Sequence, residues 1–190
     1  GMLIEAYGCE GLELDRVRLS YGPGQWLVSP GDGLHYQGGI SGPDVHDSHF
    51  EGLGDDAMNI YAKPFAISPL EPGIFRFEDA VTIQPGDQLW IYPANEARDG
   101  TLVTITRTDS GQFQTAEKLP NQPWACAVNL SRSGQGFTVK SNSFGPMRGL
   151  GCRLQTGKGV VEDNTFHRLS GAAVSLECGL ASSEAYGLGE

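Results

Sequence analysis

The strongest constraint on the fold of this chain is an internal repeat. FTVKSNSF at 137–144 recurs as GVVEDNTF at 159–166, so Val139 and Val161, Asn142 and Asn164, and Phe144 and Phe166 each stand 22 residues apart. A second phase recurs beside it: AVNL ending at Leu130, CRLQ around Leu154 and AVSL ending at Leu176. Each repeat thus holds two short apolar strands joined by glycine or polar turns, and neither strand can bury its apolar face alone. Coiling the chain stacks equivalent strands about 4.8 Å apart and closes a continuous core. The pattern predicts an all-β chain, a right-handed parallel β-helix of the pectate-lyase-like kind. Asn142 and Asn164 then stack as a ladder inside a corner, or serve as turn formers tolerant of left-handed backbone.

The first third of the chain fits the same coil. Strands are expected at 2–6, 12–19, 33–38, 45–50 and 57–61, with LELDRVRL at 12–19 alternating in period two. Val45, Asp47 and His49 read as one side of an extended segment closed by Phe50. A glycine turn then delivers Asp55 and Asp56, and Asp32 lies 23 residues before Asp55 in a similar turn, PGDGLH. With a period of 22 to 24 residues, these carboxylates fall on neighbouring rungs. Trp26, in the turn-rich link before Asp32, reads either as core or as an aromatic platform beside a sugar site.

The period breaks from Lys63 to about Trp124. Short strands at 73–77, 88–92, 102–107 and 112–115, separated by PGD, RDG and DSG turns, read as a small antiparallel β-barrel inserted between two rungs. The expected organisation is β-helix at 1–62 and 125–182, with the inserted barrel at 63–124.

Composition narrows the function. With 23 acidic against 13 basic residues and a formal net charge of −10, the chain offers little for contacting nucleic acid phosphates. No apolar run is long enough to span a membrane. Cys9, Cys126, Cys152 and Cys178 have no CxxC spacing, and the last three share a strand phase, which suits buried free thiols. His35, His46, His49 and His167 lack metal-ligand spacing. Asp44, Asp47 and His49 read as turn residues before they read as a cation site. No dinucleotide, P-loop, metalloprotease, calcium-loop or esterase motif is present. No signal peptide is readable, and Gly1 before Met2 reads as a remnant of tag removal. The ends lack caps, and the tail SSEAYGLGE is glycine-rich. Flanking rungs or a second subunit are therefore expected to cover the ends, the latter as a homo-oligomer.

Crowded carboxylates are what glycoside hydrolysis requires: one protonates the departing oxygen, and another activates water or attacks the sugar. Mutual repulsion raises one pKa and keeps a proton available. Asp32, Asp55 and Asp56 are the candidate catalytic residues, against the plainer reading that the pair decorates a surface turn.

PGDGLH, FEGLGDDAMNIY, the β-rich insertion, VNLSRSGQGFTVKSNSF, MRGLGCRLQTGKGVVEDNTF and AAVSLE together resemble glycoside hydrolase family 110. Those bacterial exo-acting enzymes cleave terminal α-1,3-linked galactose with inversion, some from blood-group-B-type glycans, on a parallel β-helix with barrel insertions. The resemblance implies that Asp32, in a D-G-x-H context, and Asp55 and Asp56, before A-x-N, carry the chemistry. It implies one of the Asp55–Asp56 pair as acid, the other activating water with Asp32, and about 6.5–9.5 Å between acid and base. Arg148 matches the first arginine of the family's RxRG pattern. Leu150 stands at the second, with Arg153 nearby as a replacement. His35 is expected to bind a hydroxyl or orient Asp32, and Asn59 to support the turn or face the groove. Trp26, Arg148 and Arg153 join them as candidate substrate-binding residues, while Tyr61 reads as packing. The implied partner is a galactose-terminated glycan, with no metal, organic cofactor, nucleic acid or membrane span, in a secreted or periplasmic bacterial protein. The competing expectations are a non-catalytic glycan-binding module and a polygalacturonase-like enzyme on the same scaffold.

Overall fold

The computed structural model describes residues 1–77, 82–94, 99–120 and 122–176. Strands β1 (Ile4–Tyr7), β2 (Glu13–Asp15) and β3 (Arg18–Leu19) form a first rung, and β4 (Leu34–Gln37), β5 (Asp44–His46) and β6 (His49–Phe50) a second. β7 (Met58–Tyr61) opens a third rung. Six barrel strands follow: β8 (Phe65–Glu71), β9 (Ile74–Phe77), β10 (Gln88–Pro93), β11 (Thr101–Asp109), β12 (Gln112–Thr115) and β13 (Trp124–Asn129). The third rung is then completed by β14 (Thr138–Lys140) and β15 (Ser143–Phe144). β16 (Cys152–Gln155), β17 (Val160–Glu162) and β18 (Thr165–Phe166) make a fourth, and β19 (Val174–Leu176) pairs beyond it. Equivalent strands lie side by side in three sheets, ordered β1-β4-β7-β16-β19, β17-β14-β5-β2 and β18-β15-β6-β3. All their pairings are parallel. This is a right-handed parallel β-helix with a closed antiparallel barrel set into it.

The repeat sets the register. Val45 pairs with Val139 and Val139 with Val161, while Phe50, Phe144 and Phe166 follow one another on the next sheet. The three rings stack with centroids 5.3 and 4.9 Å apart, worth about 0.5–1.5 kcal/mol per pair beyond area burial. Each rung has three strands where two were expected. The strand expected at 12–19 breaks at Arg16, and the one at 45–50 breaks at Asp47. Both residues have left-handed φ, 52° and 50°, as do Ser141 and Asp163 at the same corner of later rungs. Val45 is buried in the core from β5, Asp47 stands exposed at the corner and His49 lies on β6 beside the inward-facing Phe50, so the three do not form one side of an extended segment.

An asparagine ladder fills that corner. Ser48 N–H donates to Asn142 Oδ1 at 2.9 Å, and Asn142 N–H donates to Asn164 Oδ1 at 2.9 Å. The amide of Asn142 caps the Val45 carbonyl at 2.8 Å, and that of Asn164 caps Val139 at 2.7 Å. Backbone groups that a tight corner leaves unpaired are thereby satisfied.

The barrel closes in the order β10-β11-β12-β9-β8-β13 around Phe75, Leu89, Ile91, Val103 and Phe113. It interrupts the third rung, between β7 and β14, and does not separate two whole rungs. Of AVNL, expected as a rung strand, Ala127 to Asn129 are the end of β13 and pair antiparallel with β10, while Leu130 begins a short 3-10 turn. Cys126 consequently belongs to the barrel and not to the strand phase of Cys152. Cys9, Cys126 and Cys152 are free thiols, but of these Cys152 is buried and Cys9 and Cys126 are partly exposed. Cys178 and the glycine-rich tail lie outside the described residues. Among the described residues, no helix is long and apolar enough to cross a membrane.

Candidate active site

Register turns single residues into columns. Along the first sheet the side chains of Leu34, Met58 and Cys152 point into the core. Their neighbours point outward: Glu5, His35, Asn59, Arg153 and Ser175 form one column, and Tyr7, Gln37, Tyr61 and Gln155 another. Apolar alternation so places two rows of polar groups on one outer face. Much of that face is nevertheless covered, with His35 at 4%, Asn59 at 2% and Gln155 at 0% exposure. Polar side chains buried at such density need partners or a ligand.

The three aspartates meet at the edge of this face, where the corner after β3 and the corner after β6 lead into β4 and β7. Gly33 N–H donates to the Asp56 carbonyl at 3.0 Å, fixing the register between them. One carboxylate oxygen from each of Asp32, Asp55 and Asp56 lies within 4.8 Å of the other two. Asp32 and Asp56 are buried and Asp55 is exposed. Leu150 N–H, on the following rung, donates to Asp56 Oδ1 at 2.9 Å. At the position where an arginine was expected, the chain thus supplies a backbone donor. Burial pushes the Asp56 carboxyl up to about 6. The Leu150 hydrogen bond opposes that rise, the charges of Asp55 and Asp32 add to it, and Arg153 opposes it.

The nearest carboxylate oxygens are closer together than the expected separation of about 6.5–9.5 Å. Adjacent aspartates in a regular strand would diverge. The glycine-flanked corner lets Asp55 and Asp56 converge, and Gly54 is pressed so close to Pro30 that a Cβ would lie 2.7 Å from its carbonyl oxygen.

Asp32 is held from behind. His35 Nδ1 lies 2.9 Å from Asp32 Oδ2, and His35 Nε2 lies 2.9 Å from the Tyr61 hydroxyl, which donates to Gln37 Oε1 at 2.8 Å. His35 therefore orients Asp32. Tyr61, expected to pack, is a link in a hydrogen-bonded chain that ends at Gln37. Asn59 sits between His35 and Arg153 in its column, and its buried Oδ1 has no hydrogen-bond partner among the described residues. A ligand hydroxyl would satisfy it. Arg153 is half-buried and close enough to influence Asp56. Cys152 lies behind the site, and burial first, then the nearby Asp56 charge, push its thiol up to about 12, so it stays neutral.

Trp26 is 82% exposed, which removes its core reading. It lines a groove of about 480 Å³ with Tyr21, Gly54, Arg148 and Arg168. On the other side of the polar columns, a groove of about 350 Å³ lies between barrel and β-helix, lined by Tyr7, Gln37, Lys63, Asn129 and Arg132. Its wall is braced by a buried ion pair in which Arg132 Nε and Asn129 Nδ2 both donate to Asp87 Oδ2, at 3.0 and 2.8 Å. Among the described residues, two side-chain groups have donor atoms close enough to share a cation: the three aspartates, and Asp15, His46 and Asp47. His46 gains that company from the neighbouring rung, where Asp15 is its register partner.

Tyr61, Gln37 and the Leu150 N–H were not legible as site groups. The available signal was the coil itself, because Tyr61 lies 24 residues after Gln37 and pairs with it.

No protein-family model and no curated protein sequence matches the chain. Among solved structures it is similar to the Gp54 tailspike of Acinetobacter baumannii bacteriophage AP22, determined in complex with A. baumannii capsular saccharide, at 12% identity and a TM-score of 0.29. It is also similar to the tailspike protein gp49 from Pseudomonas phage LKA1, at 13% identity and a TM-score of 0.32. Each match covers 90% of this chain and 30% of the other. The chain thus spans about 30% of the length of these tailspikes. At this distance no residue role is carried across.

Proposed function

We propose that this chain carries a glycan-cleaving site, and that Asp32, Asp55 and Asp56 hydrolyse a glycosidic bond. The observation that carries the reading is the meeting of three carboxylates within 4.8 Å, one of them, Asp56, pushed up to about 6. A carboxyl half-protonated near that pH is matched to donating a proton to a leaving oxygen. Asp56 is therefore the acid. Asp55 is exposed and reaches an incoming ligand, while Asp32 is fixed by the His35–Tyr61–Gln37 chain. These two take the work at the sugar carbon. The buried acceptor of Asn59 and the guanidinium of Arg153 suit the hydroxyls of the bound sugar. Terminal α-1,3-linked galactose is the substrate that the resemblance to family 110 supports.

Inversion follows from that resemblance, with Asp32 and Asp55 activating a water. A second course, retention through a covalent sugar on Asp55, also suits carboxylates that each have an oxygen within 4.8 Å of the others, since retaining sites hold their carboxyls about 5–5.5 Å apart. NMR of the first anomer released separates the two. The exposed Trp26 platform also suits a module that binds glycans without cleaving them.

The deciding experiment is galactose release from an α-1,3-linked galactosyl disaccharide beside a β-linked control, for the wild type and Asp55→Asn. Release from the α-linked substrate alone, lost in Asp55→Asn, supports the hydrolase. A folded wild-type protein that binds the disaccharide and releases nothing overturns it in favour of the binding module.

A further inference from the structure

The groove beside the carboxylates has a chemistry that cleavage of a neutral terminal galactose does not call for. Trp26 and Tyr21 line it together with Arg148 and Arg168. The two arginines come from successive turns of one corner, joined by the Met147–Leu169 bridge. Both are exposed, and neither has an ion-pair partner among the described residues. In a chain with only 13 basic residues and a net charge of −10, two unpaired guanidinium groups on one groove are a concentration of positive charge. The groove adjoins the site directly. Gly54 precedes Asp55, and Gly149, next to Arg148, packs so tightly on Asp55 that a Cβ there would lie 2.6 Å from its carbonyl carbon.

We infer that this groove is a second sugar subsite, for a ring bearing an anionic substituent, a sulfate ester or a carboxylate, next to the sugar that is cleaved. The indole face of Trp26 packs on the C–H face of the ring. Arg148 and Arg168 present planar donor forks to the anion. They also offset the repulsion that three nearby carboxylates would exert on an acidic glycan. The inference rests on the glycan-acting reading above.

The test is calorimetric titration of the Asp55→Asn protein with three disaccharides. These are α-1,3-galactosyl-galactose, the same compound carrying a 6-O-sulfate on the reducing ring, and α-1,3-galactosyl-galacturonate. At least one anionic disaccharide is expected to bind about tenfold or more tightly than the neutral one, and which one identifies the anion. The Arg148→Gln/Arg168→Gln double variant should erase that difference, and Trp26→Ala should weaken all three. Equal affinities, no binding, or a preference that survives the double substitution overturns the subsite. Wild-type hydrolysis with equal affinities overturns only this inference. Anion-selective binding with no hydrolysis by the wild type overturns only the hydrolytic reading.

Discussion

Leu150 and Asp56 are joined across adjacent rungs: the backbone N–H of Leu150 donates to Asp56 Oδ1 at 2.9 Å. That bond stabilises the charged carboxylate, yet burial outweighs it and leaves the carboxyl at about 6 against an ordinary 3.8. A carboxyl with a raised folded-state pKa holds its proton more tightly when folded. Its contribution to stability is complete below about pH 4 and is lost as pH rises through about 6. The expected loss is on the order of 1–3 kcal/mol after allowance for solvent screening. Urea unfolding at pH 4 and pH 7 should show this loss in the wild type and not in Asp56→Asn.

Tyr61→Phe removes the hydroxyl that meets His35 Nε2 and Gln37 Oε1. The buried imidazole loses a partner, at a cost of about 1–3 kcal/mol. Because His35 orients Asp32, turnover should fall while KM changes little. A rise in KM with kcat unchanged would place Tyr61 in substrate binding instead.

Gly149→Ala should damage the site from outside it. Gly149 has a φ of 93°, and a Cβ would lie 2.6 Å from both the carbonyl carbon and oxygen of Asp55. Asp55 must shift, and a displacement of that order costs about 10²-fold in kcat/KM. Steady-state kinetics on folded protein measures it.

Asn142→Ala should separate stability from activity. It strips Ser48 N–H and the Val45 carbonyl of their partners in a buried corner away from the aspartates. The expected cost is about 1–3 kcal/mol for each buried group left unpaired, read by urea unfolding. Activity per folded molecule should be unchanged.

What was legible from the residues follows from what a repeat can encode. Val139/Val161 and Phe144/Phe166 recur at a fixed interval, so the coil and its parallel register could be read directly, while the Asn142–Asn164 ladder stood beside a turn-former reading until the side-chain contacts decided it. The third strand of each rung could not be, because the chain turns at Arg16 and Asp47, ordinary residues held in left-handed backbone by the corner. AVNL has the composition of a rung strand, and only its antiparallel pairing with β10 assigns it to the barrel. Pro69 concealed strand β8, which tolerates it in the barrel wall. The aspartates were visible as residue types at a suitable interval. Their supports, Tyr61 and the Leu150 N–H, act through contacts that depend on register, and no residue type announces them.

The central claim is that Asp56 is the proton donor of a glycoside hydrolase. It is tested most directly by comparing Asp56→Asn with the wild type on an α-1,3-galactosyl disaccharide and on α-galactosyl fluoride. Fluoride departs without needing a proton, whereas the sugar oxygen does not. The account predicts a fall of about 10²–10⁴-fold on the disaccharide, with the fluoride hydrolysed at near the wild-type rate. Equal losses on both substrates, or none on either, would contradict it.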